Sequence, residues 1–293
     1  MSRVDAMLAH RRTLSVELWP PRSLEAAAHL ERALEGLYTL EPDFASITYG
    51  AGGSTRERTH ELVVEIKRAG RTEPMAHLTC AAHRRDELEA ILRRYSESGV
   101  DNVLALLGDP PAGSPGLLPV GELAHAIDLV ELARSVAPLC VAVAAHPAGH
   151  PASKDLATDR RYLAEKLESA DFAITQLFFE IGEYLRLVED LGALGVEKPV
   201  LPGVMPITSA RSVARMAELA GVVIPTEVAE TVGALSEDHD AVRQFGIEFA
   251  TELCEALIGA GAPGLHFYTM NQVSATVAIC ENLGYARVKN ARH

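Results

Sequence analysis

Residues 75–107 read MAHLTCAAHRRDELEAILRRYSESGVDNVLALL. The opening stretch, 75–80, is short, apolar and closes on Thr79 and Cys80, as a buried strand would. Over 86–98 the period changes, and Leu88, Ile91 and Leu92 recur at helical spacing among charged residues. A second apolar stretch, 102–107, follows after Gly99. Strand, amphipathic helix and strand in this order form a βαβ unit, whose two strands lie parallel. The same alternation runs outward in both directions, with strands expected at 13–18, 44–49, 140–145, 173–179, 200–204 and 265–270. Helical spacing recurs between them, as at 56–69 with Leu62, Ile66 and Ala69. Eight such strands in 293 residues predict an α/β fold of the (β/α)8 TIM-barrel class rather than an open doubly wound sheet. More than fifty residues separate the seventh and eighth strands, room for extra helices that include 209–220 and 240–260. The Gly/Pro-rich stretches 109–116 and 147–151 read as loops, so residues 1–293 are expected to form one barrel domain.

Composition narrows the function. A net charge of −13 argues against general affinity for nucleic acid or an anionic membrane surface, while leaving room for one small anionic ligand, with Arg22 and Arg58 as cations to offset the field. No apolar run approaches the roughly 18 residues of a membrane span, and residues 1–12 lack the apolar centre of a signal peptide. Cys80, Cys140, Cys254 and Cys280 are too scattered for a zinc or redox motif, so no metal site is expected and a reducing cytoplasm is the expected setting.

In a (β/α)8 barrel, chemistry gathers where the strands end. Glu17 lies at such an end, before Trp19 and two prolines. Thr48 and Tyr49 close the second strand, His77 and Thr79 lie in the third, and Asp109 follows the fourth. Gln176 points into the barrel if Ile174 does. Any one of these is an ordinary buried polar residue; together they describe one polar mouth.

The ordered motifs resemble those of the methylenetetrahydrofolate reductases. They are Ser15-Val16-Glu17-Leu18-Trp19-Pro20-Pro21-Arg22, Thr48-Tyr49-Gly50-Ala51-Gly52-Gly53 with Arg58-Thr59, His77-Leu78-Thr79-Cys80 and Ala105-Leu106-Leu107-Gly108-Asp109. Further along come Ala144-Ala145-His146-Pro147, His150-Pro151, Ile174-Thr175-Gln176, Pro202-Gly203-Val204-Met205-Pro206 and His266-Phe267-Tyr268-Thr269-Met270-Asn271. The resemblance spans almost the whole chain. It implies reduction of 5,10-methylenetetrahydrofolate to 5-methyltetrahydrofolate by hydride from NADH or NADPH. Glu17 matches the family's general acid, in a pocket expected to be lined by Leu18 and Trp19, and Asp109 matches a carboxylate able to steady the iminium ion formed when the folate's five-membered ring opens. Gln176, Thr48, Tyr49 and Phe178 are expected to face the folate; His77, His146, His150, Asp159 and Lys166 are expected to face the dinucleotide.

Departures from the flavoprotein members cluster around the FAD cradle, although Thr48, His77, Asp159 and Lys166 match, so the loss is partial. Leu107 stands where they carry Arg, His146 where they carry Tyr, and Tyr162 and Glu165 where they carry Asn and Arg. Replacing Arg by Glu beside a diphosphate exchanges attraction for repulsion. Met216 and Gln272 likewise replace an aromatic that stacks on NADH and an Arg on the folate tail. The leading expectation is direct hydride transfer from the nicotinamide to the folate without FAD; the alternatives are an FAD-dependent ping-pong reductase and a folate-binding barrel without catalysis. No Arg cluster suited to a 2′-phosphate is visible, which favours NADH.

Overall fold

The structure, a computed structural model, describes residues 2–50, 56–108 and 121–285. Its strands are β1 (Thr13–Leu18), β2 (Phe44–Ile47), β3 (Glu73–Thr79), β4 (Asn102–Leu106), β5 (Cys140–Ala145), β6 (Phe172–Thr175), β7 (Val200–Leu201), β8 (Gly203–Val204) and β9 (Gly264–Tyr268). All pair in parallel, in the order β7-β6-β5-β4-β3-β2-β1-β9-β8. Nine strands are the expected eight with the seventh split at Pro202. Proline has no N–H for the ladder. Val200 and Leu201 therefore pair with β6, Gly203 and Val204 pair with β9, and the Pro202 carbonyl still accepts from His266 N. The barrel closes around this break.

Helices cover the outside: α1 (Val4–Leu8), α2 (Leu24–Leu37), α3 (Arg56–Ala69), α4 (Arg85–Glu97), α5 (Ala126–Val136), α6 (Leu156–Ser169), α7 (Ile181–Ala193), α8 (Ala210–Ala220), α9 (Thr226–Ala234), α10 (His239–Gly259) and α11 (Val273–Asn282). The region between β8 and β9 holds α8, α9 and α10, the expected addition. Ser209 caps α8 by accepting from Ser212 N, and Asp238 caps α10 by accepting from Ala241 N.

Alternation along each strand divides the side chains between two cores. Leu14, Val16 and Leu18, with Ala45, Ile47 and Tyr49, face outward under the helices. Phe44, Met75, Leu104, Cys140, Ala142, Phe172, Ile174 and Leu201 fill the barrel's lower interior, which the short helix α1 closes with Val4 and Leu8. Asn102 holds that plug, accepting from Val4 N at 2.9 Å and donating to Ser2 O at 2.8 Å. The plug is a feature that the sequence reading did not anticipate. A third apolar cluster, including Leu177, Phe179, Met205, Ile207, Val213 and Val228, seats α8 and α9 on the rim.

Candidate active site

Above the lower core, the inward positions turn polar. Ser15 and Glu17 on β1, Ser46 on β2, His77 and Thr79 on β3, and His266 and Tyr268 on β9 share the face of the apolar residues beneath them. Ser15 Oγ bonds His266 Nδ1 at 2.9 Å, and the His266 ring stacks on Phe44. This packing keeps both rings out of solvent, with His77 at 6% and His266 at 1% exposure. Burial depresses His77 and His266 to about 3, and both are neutral imidazoles at neutral pH.

Glu17 stands over these rings. Its side chain keeps 13% of its surface exposed, and burial lifts its carboxyl to about 7 against the pull of a hydrogen bond from Trp19. That bond runs from the indole Nε1 to Oε1 at 3.1 Å, while Oε2 lies 3.8 Å from His77 Nε2. With His77 neutral, this approach is not an ion pair, and His77 Nε2 is a buried nitrogen without a hydrogen-bond partner. Leu18, expected to line the same pocket, lies instead in the outer core, as strict alternation with Glu17 requires.

Tyr268 forms the next wall. It stands opposite Glu17 in the β1/β9 register and donates its hydroxyl to the Thr175 carbonyl on β6. Burial, aided by the Glu17 charge, raises its phenol well above the ordinary value. Gln176 follows on the inward side above Ile174, its Oε1 accepting from Leu177 N at 2.8 Å and its own N–H bound to Ala145 O. Thr48 continues the inward series of Phe44 and Ser46, its N–H bonded to Leu18 O.

Two residues expected at the mouth lie elsewhere. Tyr49, on the outward side of β2, sits under α3 and α4 and is hydrogen-bonded to His83 at 3.1 Å. Phe178 lies beyond the last residue of β6, where the chain has turned toward α7, and stacks on Tyr184. Asp109 lies outside the described residues. Its neighbour Gly108 has φ +91° and comes so close to Thr79 that a Cβ would lie 2.9 Å from that side chain, so glycine is required there.

Of the residues expected to face the dinucleotide, His77 lies on β3 beneath Glu17, whereas His146, His150, Asp159 and Lys166 gather at the end of β5 and along α6. His146 and His150 pack edge to face at 4.7 Å, and burial lowers His146 to about 4. Lys166 reaches from α6 to donate to Ala144 O at 3.2 Å, and its burial lowers the ammonium pKa. Asp159 acts inside the protein: Oδ1 accepts from His150 N and Ser153 Oγ, and Oδ2 accepts from Arg160. Arg160, 3% exposed, spends the rest of its fork on Asp190, His146 O and Pro147 O. Asp159 and Arg160 thus hold the 146–153 loop in place.

One family matches almost the whole chain. The model of that family, methylenetetrahydrofolate reductase, matches residues 3–284. The chain belongs to the methylenetetrahydrofolate reductase family. It is 34% identical over 274 residues to the 5,10-methylenetetrahydrofolate reductase of Escherichia coli (strain K12), covering 92% of this chain and 90% of that protein. It is 35% identical over 283 residues to methylenetetrahydrofolate reductase (NADH) 1 of Arabidopsis thaliana, covering 92% of this chain and 48% of the plant protein. Among solved structures, an uncharacterized protein from Clostridium thermocellum that binds two copies of 5-methyl-5,6,7,8-tetrahydrofolic acid superposes with a TM-score of 0.69. Its sequence identity is 15%, with 96% of this chain and 99% of the other covered, so this likeness concerns the fold. Membership in the methylenetetrahydrofolate reductase family makes the chain an oxidoreductase. Among the described residues, no helix is long and apolar enough to cross a membrane.

In the flavoprotein members that the motifs resemble, an FAD diphosphate is expected beside α6. The residues here fit that group poorly. Arg160 is consumed by Asp159, Asp190 and the carbonyls of His146 and Pro147, and Glu165 and Tyr162 stand exposed on α6, Tyr162 at 60%. Sequence reasoning did not single out Tyr268 and His266 as site residues, although the alternation of β9 puts both on one inward face.

Proposed function

We propose that this protein reduces 5,10-methylenetetrahydrofolate to 5-methyltetrahydrofolate with hydride taken directly from NADH, without FAD. The observation that carries the proposal is Glu17, a carboxyl at the barrel mouth whose burial keeps a large fraction of it protonated at neutral pH. A site for folate binding alone needs no such acid. In this reading Glu17 gives its proton to N10 of the folate as the bond from N10 to the methylene carbon breaks, leaving an N5 iminium ion. Asp109, outside the described residues, is assigned the charge that steadies the cation, and Gln176 and Thr48 orient the pterin. Hydride from the nicotinamide C4 converts the iminium carbon to a methyl group, and Glu17 regains a proton from water.

His77, His146, His150 and Lys166 form the surface offered to the dinucleotide, with Asp159 acting through the loop it holds. NADH is preferred over NADPH in this reading, in keeping with the Arabidopsis relative, a methylenetetrahydrofolate reductase (NADH). The whole of residues 1–293 serves as one catalytic barrel, in a reducing cytoplasm compatible with four buried free thiols.

Initial rates of NADH oxidation test the proposal. Direct transfer needs both substrates on the enzyme together, so double-reciprocal lines should intersect, and the pure protein should lack flavin absorbance. Parallel lines, with activity dependent on added FAD, would return the protein to the ping-pong class. Absence of turnover with tight folate binding would support a non-catalytic barrel.

A further inference from the structure

The hydrogen bond from Trp19 to Glu17 is built with more care than a chance surface contact. Trp19 precedes Pro20 and Pro21, and a residue before proline is confined to extended backbone. Its backbone is then clamped from β9: Asn271 Oδ1 accepts from Trp19 N, and Asn271 Nδ2 donates to Trp19 O, both at 2.9 Å. Asn271 itself holds a left-handed conformation, φ 59°, and its N–H is bound to Thr269 Oγ1. Thr269 Oγ1 in turn donates to the Glu17 carbonyl at 2.7 Å. The turn after β9 thus fixes the backbone of the acid and of its neighbour, leaving the indole, in a residue 39% exposed, at the rim with Nε1 on Glu17.

An indole nitrogen can only donate. In a neutral carboxyl, the carbonyl oxygen is the better acceptor and the other oxygen carries the proton. We propose that Trp19 is a positioning residue for the acid, its N–H holding Oε1 as the carbonyl oxygen and so placing the transferable proton on Oε2. The inference rests on the reductase reading for its purpose, but not for its geometry. Oε2 lies 3.8 Å from His77 Nε2, too far for a hydrogen bond, and the Tyr268 hydroxyl is committed to Thr175 O. Burial keeps the His77 and His266 rings neutral at neutral pH. Trp19 also favours the ionised acid, as any donor to a carboxylate does, which readies Glu17 to release its proton.

Trp19→Phe removes the N–H and keeps an aromatic ring. Infrared titration of the Glu17 carbonyl band, identified by its loss in Glu17→Gln, reads the proton without folate. In Trp19→Phe, the band should move to higher wavenumber, and its titration midpoint should rise by about one pH unit, the scale of one hydrogen bond to a charged group. The basic limb of the kcat profile should move by the same amount while the KM for folate changes less than about threefold, since the bond acts on proton transfer rather than on binding. Asn271→Ala, which frees the Trp19 backbone, should shift both readouts in the same direction. An unchanged band and midpoint in Trp19→Phe would overturn the proposal. If the band shifts as stated in a protein without reductase activity, the functional reading fails and the placement of the proton stands.

Discussion

Gly203 and Tyr268 share one space. A Cβ on Gly203 would lie 2.5 Å from Tyr268 Cε2 and 2.5 Å from the Thr175 carbonyl that the tyrosine binds. The missing side chain on β8 is what lets the Tyr268 ring cross from β9 to β6, with Glu17 on one side of it and Gln176 following Thr175 on the other.

Gly203→Ala should therefore force the ring or the strand aside. The expected cost is about 1–3 kcal/mol in urea unfolding, the range for overpacking a tight site, together with reduced turnover. Parent-like stability and activity would show that the ring can relocate freely and does not define the mouth.

Glu17 should make the protein less stable as pH rises. Its carboxyl is raised to about 7 in the fold from an ordinary 4.5, so its contribution is full below pH 4.5 and is lost as pH rises through 7. Those limits correspond to at most about 3 kcal/mol. Glu17→Gln should gain on the parent by up to that amount between pH 5 and pH 8, measured by urea unfolding at each pH. A constant difference across the range would mean that Glu17 titrates normally.

The buried histidines act with the opposite sign. His266 is depressed to about 3 from 6.5, so its contribution is present above pH 6.5 and is lost as pH falls toward 3, where the unfolded chain takes a proton that the fold refuses. His266→Gln should flatten the loss of stability with acid. An acid limb as steep as the parent's would assign the loss to other groups.

Asp159→Ala should loosen the 146–153 loop and leave Arg160 with one carboxylate partner, Asp190. A loss of about 3 kcal/mol is expected, since a buried guanidinium is left partly unpaired, with a raised KM for NADH. Unchanged stability with a raised KM would instead put Asp159 in direct contact with the dinucleotide.

Much of this arrangement could be read from the sequence because periodicity decides it. β1 and β5 fall on the expected residues, and so does α3. Alternation predicts that Glu17 faces inward, and its carboxyl stands by His77; Ile174 lies in the barrel interior, the condition on which Gln176 was expected to point inward. The same rule, applied to Thr48, sends Tyr49 outward, where it packs under the helices. Phe178 has no such local signal, because Leu177, Phe178 and Phe179 continue an apolar run after the strand has ended; one packs against Tyr184 and the others under α8 and α9. Tertiary partners, not local pattern, decided where β6 stops. The α1 plug was hidden for the same reason: a five-residue helix has no periodicity to read, and its stability comes from Asn102 and the barrel floor.

In the proposed reaction, hydride passes straight from the nicotinamide to the folate. This transfer is tested most directly with NADH carrying deuterium at the transferred C4 position, in ordinary water. Direct transfer predicts that the label is retained in the methyl group of the 5-methyltetrahydrofolate formed. A reduced flavin would hold the label at N5, where an N–H exchanges with solvent. A methyl group largely free of deuterium, formed from fully labelled NADH, would contradict the account.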